Sequence, residues 1–340
     1  MATKTIESYI ADGEKYALIG LDVKVEGEFE DCRVTPKLWV FNDTAFTLPT
    51  HWRKWLGTIR SEEMERCNLF MLSKSVSLRP QVLDTENDEL TRSVEDFYTG
   101  LLLASPFAPA HRPVLITGSR QNSEIEVRQQ QDLESPIPLQ ARAYPPVWRE
   151  DLDRAAAVAE SLEFLRATYT LGSTWRIFQT LRVYLVARTR QNIADRIHQY
   201  CRCIDGLILP DQGKTRQQFK SRTELFIGAQ HHSMMSELYD IRSAVEHLHV
   251  DRYLEPFDRN VRLDLLKKES VVEHIARTSL ARILSDRSLL AHFTNSNVLA
   301  SFWKMPFAEL RKIWGDPIDP LTALADLAPK YVTDAALGWV

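Results

Sequence analysis

Apolar residues change their spacing midway along the chain. Up to about residue 130 they come in short runs broken by turn formers. Tyr16–Ile19, Leu21–Val25, Leu38–Phe41, Leu69–Leu72, Val114–Thr117 and Ile125–Val127 read as strands, with Gly20, Gly27, Pro36 and Asn42-Asp43 as punctuation. Glu89–Leu103 reads as a helix set among them. The stretch Ser135–Trp148, SPIPLQARAYPPVW, holds four prolines, which rule out a regular helix and suit a linker. From Glu150 to about Arg190 the chain has almost no breaker except Gly172 and predicts two helices. Ile193, Ile197, Tyr200, Cys201, Ile204 and Ile208 then recur at intervals of three and four, one stripe of a helix that Leu209-Pro210-Asp211-Gln212-Gly213 ends. A further helix is expected from His232 to Val250 with Met235, Leu238, Ile241, Val245 and Leu248 inward, and helical segments follow at Val271–Leu284 and Phe307–Trp314.

This pattern predicts an α+β chain: a β-rich or mixed N-terminal domain over residues 1–134, a Pro-rich linker over 135–148, and an all-α helical bundle over 149–340. The N-terminal part is a candidate sensor or specificity module. With 340 residues, 44% of them hydrophobic and 26% charged, the composition is that of a globular protein. The net charge of −4 excludes a uniformly basic nucleic-acid coat but not a basic face. No apolar run reaches the ~20 residues of a membrane span, and the N-terminus has no signal-peptide pattern, so no membrane association and a cytoplasmic location are expected. Of four cysteines only Cys201 and Cys203 are close, as C-x-C with no second pair to complete a zinc site, so they fit reduced thiols, and no metal or cofactor is expected.

Phosphate-loop, dinucleotide, zinc-protease and serine-hydrolase motifs are absent. The candidate chemistry lies in Tyr239-Asp240-Ile241-Arg242-Ser243-Ala244-Val245-Glu246-His247-Leu248-His249. A guanidinium can grip a phosphodiester in bidentate fashion and offset transition-state charge. An imidazole can move the proton of a 2′-hydroxyl or of a leaving 5′-oxygen near neutral pH. On a continuous helix Arg242 and His249 lie within about 20° of each other, and His247 about 140° from Arg242, so the Arg242–His247 pair needs a distorted helix or a site shared by two chains. The spacing is weakly specific: chance gives about two such pairs in a chain with nine histidines and this many arginines. Arg287 and His292 form a second one, next to Leu289 and Leu290, which suit packing. Between Arg176 and Arg222 the chain is locally basic, with Arg196, Arg202 and Arg222 as candidate substrate contacts and Tyr184, Tyr200 and Phe219 interleaved. Most of the eight tryptophans are expected in cores.

The segment RIHQYCRCIDGLILPDQGKTRQQFKSRTELF, followed by LYDIRSAVEHLH, resembles the HEPN domain, most closely its ApeA-like branch. An apolar helix ending in a Pro/Gly turn there leads to a helix bearing Tyr-x-x-Arg-Ser-x-x-x-His, matched here by Tyr239, Arg242, Ser243 and His247. VVEHIARTSLARILSD resembles the following helix, and the likeness spans roughly residues 150–310. The resemblance implies a metal-independent endoribonuclease with a composite site in a homodimer. Arg242 would bind phosphate, Ser243 would make polar contacts, His247 would be the acid/base and His249 the alternate base, with Tyr239 near the substrate. RNA would be the substrate, and anti-phage defence or toxin activity, with a regulatory partner or phage-derived trigger, would be the setting. A non-catalytic HEPN-like module that binds RNA, a nucleotide or a partner protein is the alternative. Members of the branch often carry His-Gly where this chain has His247-Leu248, which puts the end of the helix in question.

Overall fold

The computed structural model describes residues 6–27, 32–42, 47–139, 142–249, 259–325 and 327. The chain divides into two compact units, Met1–Ser135 with Pro145–Glu163, and Pro136–Tyr144 with Phe164–Val340.

The first unit is built on an antiparallel sheet of six strands. They are β1 (Glu14–Leu21), β2 (Cys32–Arg33), β3 (Leu38–Asn42), β4 (Leu69–Val76), β5 (Val114–Gln121) and β6 (Glu124–Asp132), in the order β2-β3-β4-β1-β5-β6. Central β1 pairs Leu18 with Leu72 of β4 and with Ile116 of β5, and it is buried on both faces. This explains its near-continuous apolar run, since successive side chains alternate between two covered faces. Tyr16 and Leu18 share a core with Phe41, Phe70, Ile116 and Ile125, and with Trp52, Leu56 and Met64 of the helical segment that includes α1 (Arg53–Glu65). Helix α2 (Thr85–Ala104) packs on β1, β4 and β5. Its N-cap is Asp84, which accepts from Glu86 N–H, and Asp84 and Glu86 also flank the fully buried Lys15 ammonium at 2.8 and 3.0 Å.

Two expectations for this unit change. Leu21–Val25 is not a separate strand: β1 runs through Gly20 to Leu21, and Val25 makes only an isolated parallel bridge to Val147. Helix α1 was not foreseen, because Gly57 sits inside it at φ 75° and ψ 171°, breaking the helical path and its periodicity.

Helix α3 (Arg149–Thr168) belongs to the first unit as far as Glu163. The described secondary structure of the second unit is helical, without strands. It holds α4 (Leu171–Arg188), α5 (Ile193–Ile208), α6 (Thr215–Ile227), α7 (His232–Glu246), α8 (Arg259–Ser285), α9 (Arg287–Leu290), α10 (Ser296–Phe302) and α11 (Phe307–Trp314). Together with the sheet unit this makes the chain α+β. Helix α5 is the centre of the bundle and touches α4, α6, α7 and α8. Its stripe is buried as expected except for Ile193, which is half-buried. Asn192 caps its start by accepting from Ala194 and Asp195 N–H at 2.8 and 3.1 Å, and Leu209 closes it in the left-handed conformation.

The Pro-rich stretch is divided between the units, Pro136–Tyr144 belonging to the helical one. There Ile137 N–H donates to the Arg188 carbonyl at 2.9 Å, and the Arg142 guanidinium is buried 3.7 Å from Glu269 and Glu273. Among the described residues no helix is long and apolar enough to cross a membrane.

Candidate active site

Helix α7 turns Met235, Leu238 and Ile241 inward, at three-residue spacing, in a region where it packs on α5 and α6. Tyr239 is half-buried with its ring 5.6 Å from that of Phe219. One turn on, the Arg242 guanidinium lies 5.3 Å from the Tyr239 ring centroid, a cation–π contact. Arg242 reaches across to α5, where its Nη2 is 2.9 Å from Asp205 Oδ2. Asp205 Oδ1 and Arg242 Nε have no hydrogen-bond partner among the described residues.

Asp205 and Arg242 line a cleft of about 270 Å³ together with Trp175, Arg176, Gln179 and Arg202. Its wall depends on a close approach of α4 and α5 at Gly206, where a Cβ would lie 2.1 Å from Thr180 Oγ1. Burial pushes the Asp205 carboxyl up to about 6, against the pull of Arg242 and Arg202. A carboxyl raised in the folded state adds stability that is complete below its unfolded pKa and is lost as pH rises through the folded one. Neutral Asp205 therefore supports the fold below about pH 4, and up to about 3 kcal/mol is lost by the time pH passes 6. Asp205→Asn should remove this slope, so that its melting temperature rises relative to wild type between pH 4.5 and pH 7. Parallel melting curves for the two proteins across that range would refute the assignment.

Helix α7 ends earlier than expected, at Glu246, and the expected inward placement of Leu248 is wrong: it is 85% exposed. Leu248 adopts φ +56°, its N–H donates to the Val245 carbonyl at 3.2 Å, and His249 N–H donates to that of Ala244 at 2.8 Å. This is the paired-bond helix stop normally built around glycine, here carried by leucine. Left-handed backbone costs a β-carbon-bearing residue about 1 kcal/mol, so Leu248→Gly should raise stability by up to about that amount. A lowered melting temperature would instead mean that the exposed leucine is held by contacts of its own.

Because the helix stops there, His247 and His249 do not follow the helical projection. Both are exposed, with ring centroids 6.2 Å apart, and neither lines the cleft. Ser243 is half-buried, and its carbonyl accepts from His247 N–H. Glu246 lies 2.5 Å from His198 Nε2, and that hydrogen bond holds its carboxyl below the usual range.

The basic stretch separates into different roles. Arg202 is exposed at the cleft. Arg222 donates to the carbonyls of Ile208 and Leu209, satisfying the end of α5, and stacks its guanidinium 5.6 Å from the Trp303 ring centroid. Arg196 is 2% exposed and 2.8 Å from Glu269, in the interior rather than on a substrate face. Burial works against its charge, and Glu269 nonetheless holds its pKa above the ordinary value. Around it Glu273 is kept down to about 2: burial pushes its carboxyl up, and Arg277, Arg142 and Arg188 outweigh that. Tyr184, Tyr200 and Phe219 are fully buried and cannot stack on a base. In the second Arg/His pair, Arg287 stacks on Phe164 at 4.2 Å, and Leu289 and Leu290 are buried.

Asp205, Trp175 and Gln179 were not singled out from the sequence. Three tryptophans, Trp55, Trp148 and Trp175, are exposed rather than in cores. The first unit has an open cleft of about 670 Å³ lined by His51, Trp55, Leu83 and Arg128 among others, where Arg128 pairs with Glu126 at 3.0 Å. Among the described residues no group of three or more His, Cys, Asp or Glu side chains could hold a metal ion. The chain matches no family model, no curated protein and no solved structure.

Proposed function

We propose that the helical unit is a metal-independent endoribonuclease of HEPN type, acting in the cytoplasm as a homodimer. The observation that carries the reading is the cleft in which Arg242 of α7 stands beside Arg176 and Arg202, with His247 and His249 just past the end of that helix. In this reading Arg242 grips the scissile phosphate, displacing the Asp205 carboxylate, and offsets the charge that builds on the phosphorane oxygens. His247, or His249 in its place, takes the proton of the 2′-hydroxyl as its oxygen attacks phosphorus. The imidazolium so formed returns the proton to the leaving 5′-oxygen, giving a 2′,3′-cyclic phosphate and a 5′-hydroxyl. Ser243, next to Arg242, would add a polar contact, and a second copy would supply the partner arginine. A role in anti-phage defence or as a toxin, set off by a regulatory partner or phage-derived trigger, rests on the resemblance alone.

Two observations favour a second reading, a non-catalytic module that binds RNA, a nucleotide or a protein. Arg242 is already engaged by Asp205, and neither histidine lines the cleft. Incubating the purified full chain with single-stranded RNA in EDTA separates the readings. Cleavage with cyclic-phosphate ends is expected, together with a dimer by light scattering at micromolar concentration. Intact RNA across several salt concentrations would leave the binding module.

A further inference from the structure

Tyr184, Tyr200 and Phe219, which interleave with the basic stretch, are in the interior, so a base that follows a phosphate into this region needs another surface. Trp175 offers one. It is 59% exposed, near the start of α4, and lines the same cleft as Arg176, Arg202 and Arg242. A single exposed tryptophan is unremarkable by itself. Here its indole shares about 270 Å³ with three guanidiniums and one carboxylate, Asp205, that already faces one of them. Arg176 is fixed by donating from Nε to Ser296 Oγ at 3.0 Å. The amide of Gln179, on the turn of α4 after Trp175, adds a donor and an acceptor of the kind that reads a base edge.

We infer that Trp175 is the stacking platform of a nucleobase subsite, and that the cleft takes an unpaired nucleotide with its phosphate toward the arginines. The volume is below that of pockets for drug-sized ligands and suits one flat ring system. A base can lie face-on against an indole only when it has left the helical stack, so a duplex would present its backbone and leave Trp175 empty. The inference rests on the ribonucleolytic reading for the substrate class but not for the chemistry, because stacking needs neither His247 nor His249.

The test uses the full chain and a fluorescein-labelled single-stranded RNA of mixed sequence, 2′-O-methylated throughout to prevent cleavage, beside the duplex of the same strand. Binding is read by anisotropy. Trp175→Ala should weaken single-strand binding about ten-fold or more, the worth of one base–aromatic stack, and leave duplex binding unchanged. Trp175→Phe should recover most of the loss. Equal losses on both probes, unchanged single-strand binding in Trp175→Ala, or wild type that binds neither probe would each overturn the inference. Cleavage of unmodified RNA is scored separately. If cleavage is absent while the single-strand loss is seen, the nuclease reading falls and this one stands; if cleavage is present and the Trp175→Ala affinity is unchanged, the reverse holds.

Discussion

Arg242→Ala is expected to lower the rate of RNA cleavage about 10²–10³-fold, the usual consequence of removing a group that offsets transition-state charge. His247→Ala should cost about 10²–10⁴-fold, as expected for the loss of a positioned acid/base. The two variants should differ in binding. Arg242 lies in the cleft, so its loss should weaken RNA affinity, whereas His247 stands exposed outside the cleft and its loss should leave affinity nearly unchanged. Removing Arg242 also strands Asp205, whose carboxyl loses its ion-pair partner and should titrate higher still. Purified variants assayed on single-stranded RNA in EDTA, with a folding check by circular dichroism, give the result. Full loss in His249→Ala with His247→Ala still active would move the base to His249. Activity retained in Arg242→Ala would end the proposal for this site.

Glu269→Ala should destabilise the helical unit by about 3–5 kcal/mol, the cost of leaving a buried charge without its partner. Glu269 is fully buried, 2.8 Å from Arg196 and 3.7 Å from Arg142. Without it Arg196, itself 2% exposed, keeps backbone carbonyls and the Tyr200 hydroxyl, none of which carries a compensating charge. Arg142 would keep Glu273, which Arg277 already shares. Calorimetry on the full chain should show the transition that unfolds the helical unit fall by about 10 °C. A shift of only a degree or two would mean that water or movement of the Pro136–Tyr144 segment relieves the stranded arginines. The network is not thereby a net source of stability, since well-packed apolar groups of equal volume can do as well.

Much of the secondary structure was legible because burial imposes a period. The α5 stripe and the Phe307–Trp314 helix follow from spacing, and β1 from a run that both faces of the sheet bury. Misreadings arose where backbone conformation, not side-chain polarity, set the boundary. Gly57 hid α1, and a left-handed Leu248 ended α7 where apolar spacing had extended it. The separation of Arg242 from His247 is plain in the chain, and so is its ambiguity, because on spacing alone Arg287 and His292 qualify equally.

The sequence by itself determined the α+β division, most of the elements and the position of the Arg-x-x-x-x-His segment, all of which depend on local periodicity, turn formers and nearest neighbours. Tertiary structure decided which charges meet. It set Asp205 of α5 against Arg242 of α7, drew Arg196 inward to Glu269, docked Arg142 of the Pro-rich stretch beside Glu273, and left Trp175 exposed among arginines. Periodicity tells which face of an element is covered. It carries no information about which residue of a distant element stands opposite, and electrostatic pairing, pKa shifts and clefts arise from that opposition.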